Sequence, residues 1–304
     1  MLVRSVENIN GYLASSANII VEKCNKSISG FPKIVLGNQP RDDGQLLLSK
    51  FEKDELLASY PSASPLIKKL FGAREFLQGH ERWCLWIEDK DLKLARSIPT
   101  ISDRIDSVYE FRCSSRAKTT RGYSNVPHKF AQISRKDNSK GVIIIPKVSS
   151  VNRDYIPIGF LGEDCIVTDA AQTIPEPSLY IFSILNSRMH MAWVRAVAGR
   201  FKTDYRYSIA LCYNPFPFPK LNNQKIKELE SLGMGVLTAR EEYSSLTMNK
   251  LYSLEAMPES LRMAHERLDQ YVDSLYSNSY FVGDEERLSI LFSMYQEMTG
   301  DQSA

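Results

Sequence analysis

The amino-acid sequence predicts an α+β fold: a mixed, largely antiparallel sheet with flanking helices over residues 1–219, followed by a small all-α domain over residues 220–304. In the first part, short apolar runs alternate with turn residues, which is typical of strands in antiparallel sheets. In the second part, apolar residues recur at helical spacing. Between them, residues 214–219 contain three prolines. Because proline fixes φ and removes a backbone donor, this segment is predicted to be a stiff connector.

Turn and capping residues divide the first hundred residues into short elements. Residues 29–32 and 40–44 carry the Gly and Pro that are typical of turns. Ser64 is a suitable helix cap, and Pro65 suits the first turn of a helix. The resulting predictions are strands at residues 19–22, 33–37 and 82–87, and helices from Glu52, over 64–71 and over 90–97.

The middle of the chain is predicted to contain one helix and three strands. The helix covers residues 101–114, because Ile101, Ile105 and Val108 recur at helical spacing. Arg112 is expected to lie off this apolar stripe. Tight turns containing Asn152 and Gly162 favour an antiparallel meander of the strands that follow. These strands are predicted at residues 142–148, 155–161 and 165–168.

The last third of the sequence is predominantly helical in its pattern. Residues 178–198 are predicted to form helix with Trp193 facing inward, and Trp83 and Trp86 are also expected in the core. Asp284 is a good N-cap, since the acids after it suit the positive end of a helix dipole. Three C-terminal helices are predicted near residues 222–247, 258–277 and 284–299.

The distribution of charge is more informative than the net charge of +2. Residues 112–153 contain ten basic residues and one acid, Asp137, for a net charge of +9. Residues 220–304 contain eight basic and fourteen acidic residues, for a net charge of −6. Concentrated positive charge is typical of a surface that binds a polyanion. A solvated basic face without a ligand remains the alternative.

No complete catalytic motif is present in the sequence. Residues 214–217 superficially resemble the motif with which DNA methyltransferases hold the target base, but the second proline is displaced. Asp91 and Lys93 have the local spacing of a nuclease motif without a partner acid. The five cysteines and four histidines are too scattered to indicate a metal site. The chain alone is therefore expected to be non-catalytic, without a cofactor or metal, and cytoplasmic, since no signal peptide or membrane span is evident.

Several phrases, in the same order, resemble the target-recognition region and C-terminal helical domain of MmeI-like type IIL restriction–modification enzymes. Each phrase is weak alone, but their co-linear arrangement is specific and covers nearly the whole chain. The phrases are INGYL (9–13), SGFPKIVLGNQPRDDGQLLLS (29–49), FGAREFLQGHERWCLWIED (71–89), IPKVSSVNRDYIPIGFL (145–161), RYSIALCYNPFPFP (206–219), MPESLRMAHERLDQYVDSLY (257–276) and DEERLSILFSMYQEM (284–298).

The resemblance implies that residues 1–219 form a target-recognition domain that docks in the major groove of double-stranded DNA. In that family, a fused methyltransferase flips out an adenine and methylates its N6, and a nuclease belongs to the same protein. The full-length enzyme would use S-adenosylmethionine and Mg²⁺. The catalytic portions normally precede the recognition region, so we expect them in cis on a longer protein or on a separate subunit.

Two sets of residues are candidates for DNA contact, because phosphate contacts position a protein and base contacts specify sequence. Asn pairs with adenine and Arg with guanine by bidentate geometry. The base-contact candidates lie on a predicted turn between strands; they are Lys147, Ser149, Ser150, Asn152, Arg153 and Tyr155. The backbone candidates are Arg116, Lys118, Thr119, Arg121, Lys202, Arg206, Tyr207 and Ser208, with Arg195 and Arg200 in the same basic group as the last four.

Two other functions fit the sequence less well. The chain is alternatively a protein-interaction adaptor, whose acidic helical tail binds a partner while the basic segment pairs within the molecule. It is otherwise a non-specific or RNA-binding module. Common RNA-binding modules expose aromatic side chains for stacking. Residues 112–153 contain only Tyr123 and Phe130, which counts against RNA.

Overall fold

The computed structural model of the chain describes residues 9–12, 18–134 and 140–300. Helices and mainly antiparallel strands are combined, and the C-terminal part is helical, which confirms the predicted α+β class. The chain forms two compact units. Unit 1 comprises Met1–Ile34, Ile145–Phe160 and Ile174–Ala304, and unit 2 comprises Val35–Ile144 and Leu161–Thr173, as far as these are described. The predicted sequence boundary between residues 219 and 220 stays a prediction.

The strands of the described residues are short and lie in three sheets. The sheet orders are β1-β9-β5-β7, β2-β4-β3-β8 and β10-β11-β6. Strand β8 pairs parallel with β3, whereas the pairings β1–β9, β2–β4, β3–β4, β6–β11 and β10–β11 are antiparallel. The strands are β1 (Val35–Leu36), β2 (Leu47–Leu48), β3 (Ile67–Phe71), β4 (Trp83–Leu85), β5 (Val142–Pro146), β6 (Val148–Ser149), β7 (Gly159–Leu161), β8 (Cys165–Val167), β9 (Ala171–Pro175), β10 (Gly199–Phe201) and β11 (Asp204–Arg206).

Three local predictions for this part of the chain are wrong. Residues 19–22 form no strand. Residues 64–71 are not a helix, because a 3₁₀ helix, Pro61–Leu66, leads directly into β3, whose edges pair with β4 and β8. The meander is also wrong, since β8 joins the sheet of β3 instead of following β7. These pairings join residues distant in sequence, which local turn signals do not reveal.

The helices agree better with the periodicity of the sequence. The predicted helix over residues 178–198 is divided in two, with Ser187 accepting a hydrogen bond from the His190 N–H and capping the second half. The three predicted C-terminal helices are confirmed with slightly different bounds. The described α-helices are α1 (Lys50–Ser59), α2 (Ala73–Gln78), α3 (Leu92–Ser97), α4 (Pro99–Ser114), α5 (Lys118–Arg121), α6 (Leu179–Leu185), α7 (Arg188–Val197), α8 (Asn223–Glu241), α9 (Met248–Leu251), α10 (Glu259–Ser274) and α11 (Asp284–Gly300).

Helix α4 supplies one wall of the core of unit 2. Ile101, Ile105 and Val108 are fully buried, which confirms the predicted apolar stripe. Arg112 continues the same stripe and is also fully buried, so its expected position off the stripe is wrong. The spacing of four from Val108 puts Arg112 on the inner face, as helix geometry requires.

Close helix packing organises unit 1. A Cβ atom on Gly233 of α8 would lie 2.1 Å from the Ser183 hydroxyl of α6, so only glycine permits this approach. The same hydroxyl donates a 2.7 Å hydrogen bond to the Leu229 carbonyl. Trp193 is fully buried in this unit, as predicted. In unit 2, Trp83 and Trp86 are only partly buried at the margin of the core, so that part of the prediction is too strong.

Candidate nucleic-acid interface

A β-hairpin in unit 1 brings two separate groups of candidate residues together. Strands β10 and β11 pair with Gly199 opposite Arg206, and β11 also pairs with β6. The two-residue turn places Lys202 at φ 55°, a left-handed conformation. The Tyr207 N–H donates to the Lys147 carbonyl at 2.8 Å, so residues 147–149 lie beside residues 205–207. Two segments more than fifty residues apart therefore form one surface.

The hairpin exposes cations around an aromatic ring. Arg200, Lys202 and Arg206 are exposed, and so is Phe201, at 57% of its full area. The Arg200 guanidinium lies over the ring of the buried Tyr205 at 4.0 Å, which restricts its movement. A polyanion is attracted by such cations, and an exposed ring offers an apolar contact to a base. Phe201 was missed from the sequence because an exposed aromatic has no periodic signature.

The turn over residues 150–154 carries the exposed base-contact candidate Asn152 and the half-buried Ser150. The Asn152 N–H donates to the Ser150 hydroxyl at 3.2 Å. The turn is also connected to the hairpin, since the Val151 N–H donates to the Asp204 carboxylate at 3.4 Å. Short polar side chains are thus presented next to the hairpin on a hydrogen-bonded turn.

Arg153 belongs to this turn, but its side chain is buried, and the residue is only 7% exposed. Its guanidinium donates to the Ser149 hydroxyl at 3.2 Å and to the side-chain oxygen of Asn249. Burial lowers the pKa of Arg153, and the charge of Asp204 partly opposes this. The side chain borders a cleft of about 340 Å³, here called the Arg153 cleft, which is lined by Ser150, Asn152, Arg153, Asn249, Ser253 and Glu255.

Three candidate residues are buried and are corrected to structural positions. Tyr155 is 3% exposed and its hydroxyl donates to Asp269 at 2.6 Å. Tyr207 is 1% exposed and its hydroxyl is hydrogen-bonded to His190 at 2.9 Å. Ser149 is 1% exposed and accepts from Arg153. Their inward orientation leaves them no surface for a base or a phosphate, and they hold the exposed neighbours in place.

A buried polar network supports the chain just after the turn. Burial raises the pKa of Asp269 to about 7, although the Tyr155 hydroxyl and the Arg188 N–H donate to its carboxylate. Arg240 donates to the Ile158 carbonyl at 2.7 Å and to the Tyr252 hydroxyl. Polar groups with satisfied hydrogen bonds fix the geometry of neighbouring segments. Residues 155–158 are therefore held rigidly by α8 and α10.

The second group of backbone candidates belongs to unit 2. Arg116, Lys118, Thr119 and Arg121 are all exposed. Arg121 donates to the carbonyls of Ser115 and Arg116, and Thr119 accepts a 3.0 Å bond from a neighbouring arginine side chain. Within the described part of the chain, the side chains of Arg116 and Lys118 form no hydrogen bond or ion pair, so both are available to solvent or an anion. These residues form an exposed cationic patch at α5.

Not every basic residue of the two candidate segments contributes to a surface. In residues 112–153, the guanidinium of Arg112 is fully buried and Lys129 pairs with Asp89 at 2.5 Å; in the second basic group, Arg195 pairs with Asp284 at 2.6 Å. Arg135, Lys136 and Asp137 lie outside the described residues. All N–H groups of Arg112 are used at 2.7–3.0 Å by the main-chain carbonyls of Pro40, Arg41, Tyr123, Val126 and Lys129.

Known proteins place this arrangement in a family. The family model described as "MmeI, target recognition domain" matches residues 15–220, and the model described as "MmeI, C-terminal domain" matches residues 221–302. The chain belongs to the MmeI family. It is similar to the solved structure of the type IIL restriction–modification enzyme MmeI in complex with DNA, with a TM-score of 0.91 and 37% identity, over 98% of this chain and 40% of that one.

A curated relative of this MmeI-family chain is "DNA methyltransferase A" of Bacillus subtilis (strain 168). The two are 42% identical over 294 residues, which is 97% of this chain and 33% of the relative. The chain thus spans about a third of that relative, and the matched models are the recognition and C-terminal domains. The predicted resemblance to type IIL enzymes is confirmed.

The two MmeI family models divide the Arg153 cleft between them. Ser150, Asn152 and Arg153 fall in the match to the target recognition domain, whereas Asn249 and Glu255 fall in the match to the C-terminal domain. The described residues contain no cluster of three or more His, Cys, Asp or Glu side chains that could hold a metal ion. Within that same part of the chain, no helix is long and apolar enough to cross a membrane.

Proposed function

We propose that this chain recognises a specific sequence in double-stranded DNA, as the specificity region of a restriction–modification adenine-N6 DNA methyltransferase. The observation that carries the proposal is the hairpin of β10 and β11, which presents exposed cations and Phe201 beside the polar turn at Asn152. Its support is the overall match to MmeI, whose solved structure is a complex with DNA.

The candidate residues of the two units divide into phosphate and base contacts by exposure and charge. Lys202 and Arg206 on the hairpin, and Arg116 and Lys118 at α5, contact phosphates in this proposal, because they are exposed cations on short elements. Arg121 and Thr119 add weaker phosphate contacts, and Ser208, which is half-buried, adds a hydroxyl. In this proposal the bases are contacted by polar side chains on and beside the turn, namely Lys147, Ser150, Asn152 and Arg153.

The chemistry in this proposal takes place outside the chain. Methylation of adenine N6 would need S-adenosylmethionine, and cleavage would need Mg²⁺. The described residues offer no carboxylate cluster that fits a metal. Methyltransferase and nuclease domains, in cis or on a separate subunit, would supply those sites in the cytoplasm. The support is the relative named DNA methyltransferase A, of which this chain matches a third.

Binding to a randomised duplex library at near-physiological salt, with selection and sequencing, tests the proposal. We expect enrichment of one short motif. Uniform, salt-sensitive retention would instead indicate a non-specific DNA-binding module. No retention at all would favour a protein-interaction adaptor that uses the acidic helical tail. A matched selection with single-stranded RNA of the same length is expected to enrich nothing.

A further inference from the structure

The Arg153 cleft contains a buried cation without a buried anion. Arg153 makes no ion pair among the described residues: its two side-chain partners, Ser149 and Asn249, are neutral, and the charge of Asp204 acts on it only from a distance. Removing an arginine from water is costly unless its charge and its N–H groups find partners. Guanidinium has five N–H donors, and these two contacts leave several of them for a ligand in the cleft. A buried charge with unused donors beside an open cleft indicates a binding site.

Asn249 fixes the guanidinium from a part of the chain that is distant in sequence. It lies on α9, 96 positions after Arg153, and its side-chain oxygen accepts from the second terminal nitrogen of the guanidinium. Ser149 accepts from the other terminal nitrogen. Because these two acceptors bind different nitrogens, they fix the plane of the Arg153 guanidinium group. The plane in turn sets the direction of the remaining N–H groups.

The lining of the cleft favours a base pair over a phosphate. Glu255 lines the same cleft, and its carboxylate would repel a phosphate group. In the major groove, guanine offers O6 and N7 to an arginine, while its partner cytosine offers an amino group to a carboxylate. A cleft that is lined by Arg153 and Glu255 therefore complements both halves of a G·C pair.

We propose that Asn249 is a positioning residue for sequence selection: it orients Arg153 so that the Arg153 cleft selects a G·C pair, with Glu255 on the cytosine. This inference rests on the proposed function. Asn249 and Glu255 lie in the segment that matches the C-terminal domain model. That segment would then contribute directly to sequence specificity, which is otherwise expected of the recognition domain alone.

The test compares R153A, N249A, the double variant and the control N223A by selection on the randomised library. Asn223 is an exposed asparagine on α8, so N223A removes the same amide without touching the cleft. We expect R153A to lower the preference for G·C at one motif position about fivefold or more. N249A should lower it at the same position about twofold or more, the coupling expected within one hydrogen-bond network. In the R153A background, N249A should have no further effect.

A second variant keeps the inference testable if N249A changes folding. N249D would place a carboxylate on the guanidinium and compete with guanine, so it should also reduce the G·C preference, while its thermal unfolding stays near that of the wild type. E255Q should weaken selection at the same position. A motif unchanged in N249A and N249D would overturn the inference and leave the proposed function intact. A wild-type chain that selects no motif would overturn both.

Discussion

Arg112 and Arg153 are both buried arginines, yet the two regions around them use the N–H groups of the arginine differently. Burial lowers the pKa of each. In unit 2, Arg112 gives all its N–H groups to main-chain carbonyls, so it closes a loop and has nothing left for a ligand. In unit 1, Arg153 has two neutral side-chain partners and borders a cleft. Unused donors beside a cleft, rather than charge or burial alone, are therefore the basis for the proposed binding role of Arg153 and the structural role of Arg112.

The largest expected effect is on stability, at the structural arginine. Arg112→Ala should lower the free energy of unfolding by about 3 kcal/mol or more, because it leaves a cavity and several buried carbonyls without donors. Urea denaturation measures this. The matched control Arg116→Ala removes an exposed arginine nearby and should change stability by no more than about 0.5 kcal/mol. Equal stabilities would contradict a structural role for Arg112.

The second prediction concerns the arginine at the cleft. Arg153→Ala should weaken binding to the selected motif by about 1–3 kcal/mol and leave binding to unrelated duplexes nearly unchanged, because a base contact is lost. Fluorescence anisotropy with both duplexes measures the difference. An equal loss of affinity for every duplex would indicate that Arg153 contacts a phosphate, and would contradict its proposed role in reading a base. A thermal melt of the variant serves as the folding control.

The third prediction concerns the pH dependence of stability, which tests the buried polar network beside Arg153 in unit 1. The pKa of Asp269 is raised to about 7 by burial, so the folded chain holds a proton that the unfolded chain releases near pH 4. Stability should therefore fall as the pH rises from about 4 to 7, with a slope of at most about 1.4 kcal/mol per unit. Asp269→Asn should remove this component.

Melting temperatures of the wild type and Asp269→Asn across pH 4 to 8 check the prediction. Burial lowers the pKa of His190 to about 3 and that of His265 well below its usual range. Both histidines thus give stability that is lost as the pH falls below about 6.5, the opposite sign. Because the wild type and Asp269→Asn both retain these histidines, the difference between their profiles gives the contribution of Asp269 alone. Parallel profiles would show that Asp269 does not titrate in this range.

The smallest expected effects are at exposed lysines. Lys118→Ala in unit 2 and Lys202→Ala in unit 1 should each reduce the slope of log affinity against log salt by about one, because each phosphate contact releases roughly one counterion. The motif itself should not change. Salt titrations from low to physiological ionic strength measure the slope. A lysine whose removal leaves the slope unaltered does not contact DNA.

Local patterns predicted much of the helical architecture. The stripe of Ile101, Ile105 and Val108 predicted α4, and the helical spacing of apolar residues after residue 220 predicted the C-terminal helices. Strand positions were predicted less well. β8 lies parallel to β3 nearly a hundred residues away, and the helix prediction over 64–71 failed because sheet pairing outweighed the capping signal. Pairing between distant strands depends on tertiary packing, which local signals do not contain.

Periodicity, proline positions and charge are local properties, so the amino-acid sequence was enough to predict the fold class, the family resemblance and the segments that carry the candidate residues. The accessibility of those candidates depends on the folded chain, which exposes Lys202 and Asn152 and buries Tyr155 and Tyr207. It also brings Asn249 to Arg153 across 96 positions. Burial and hydrogen-bond partners arise from contacts between distant segments, and composition or spacing along the chain does not specify them.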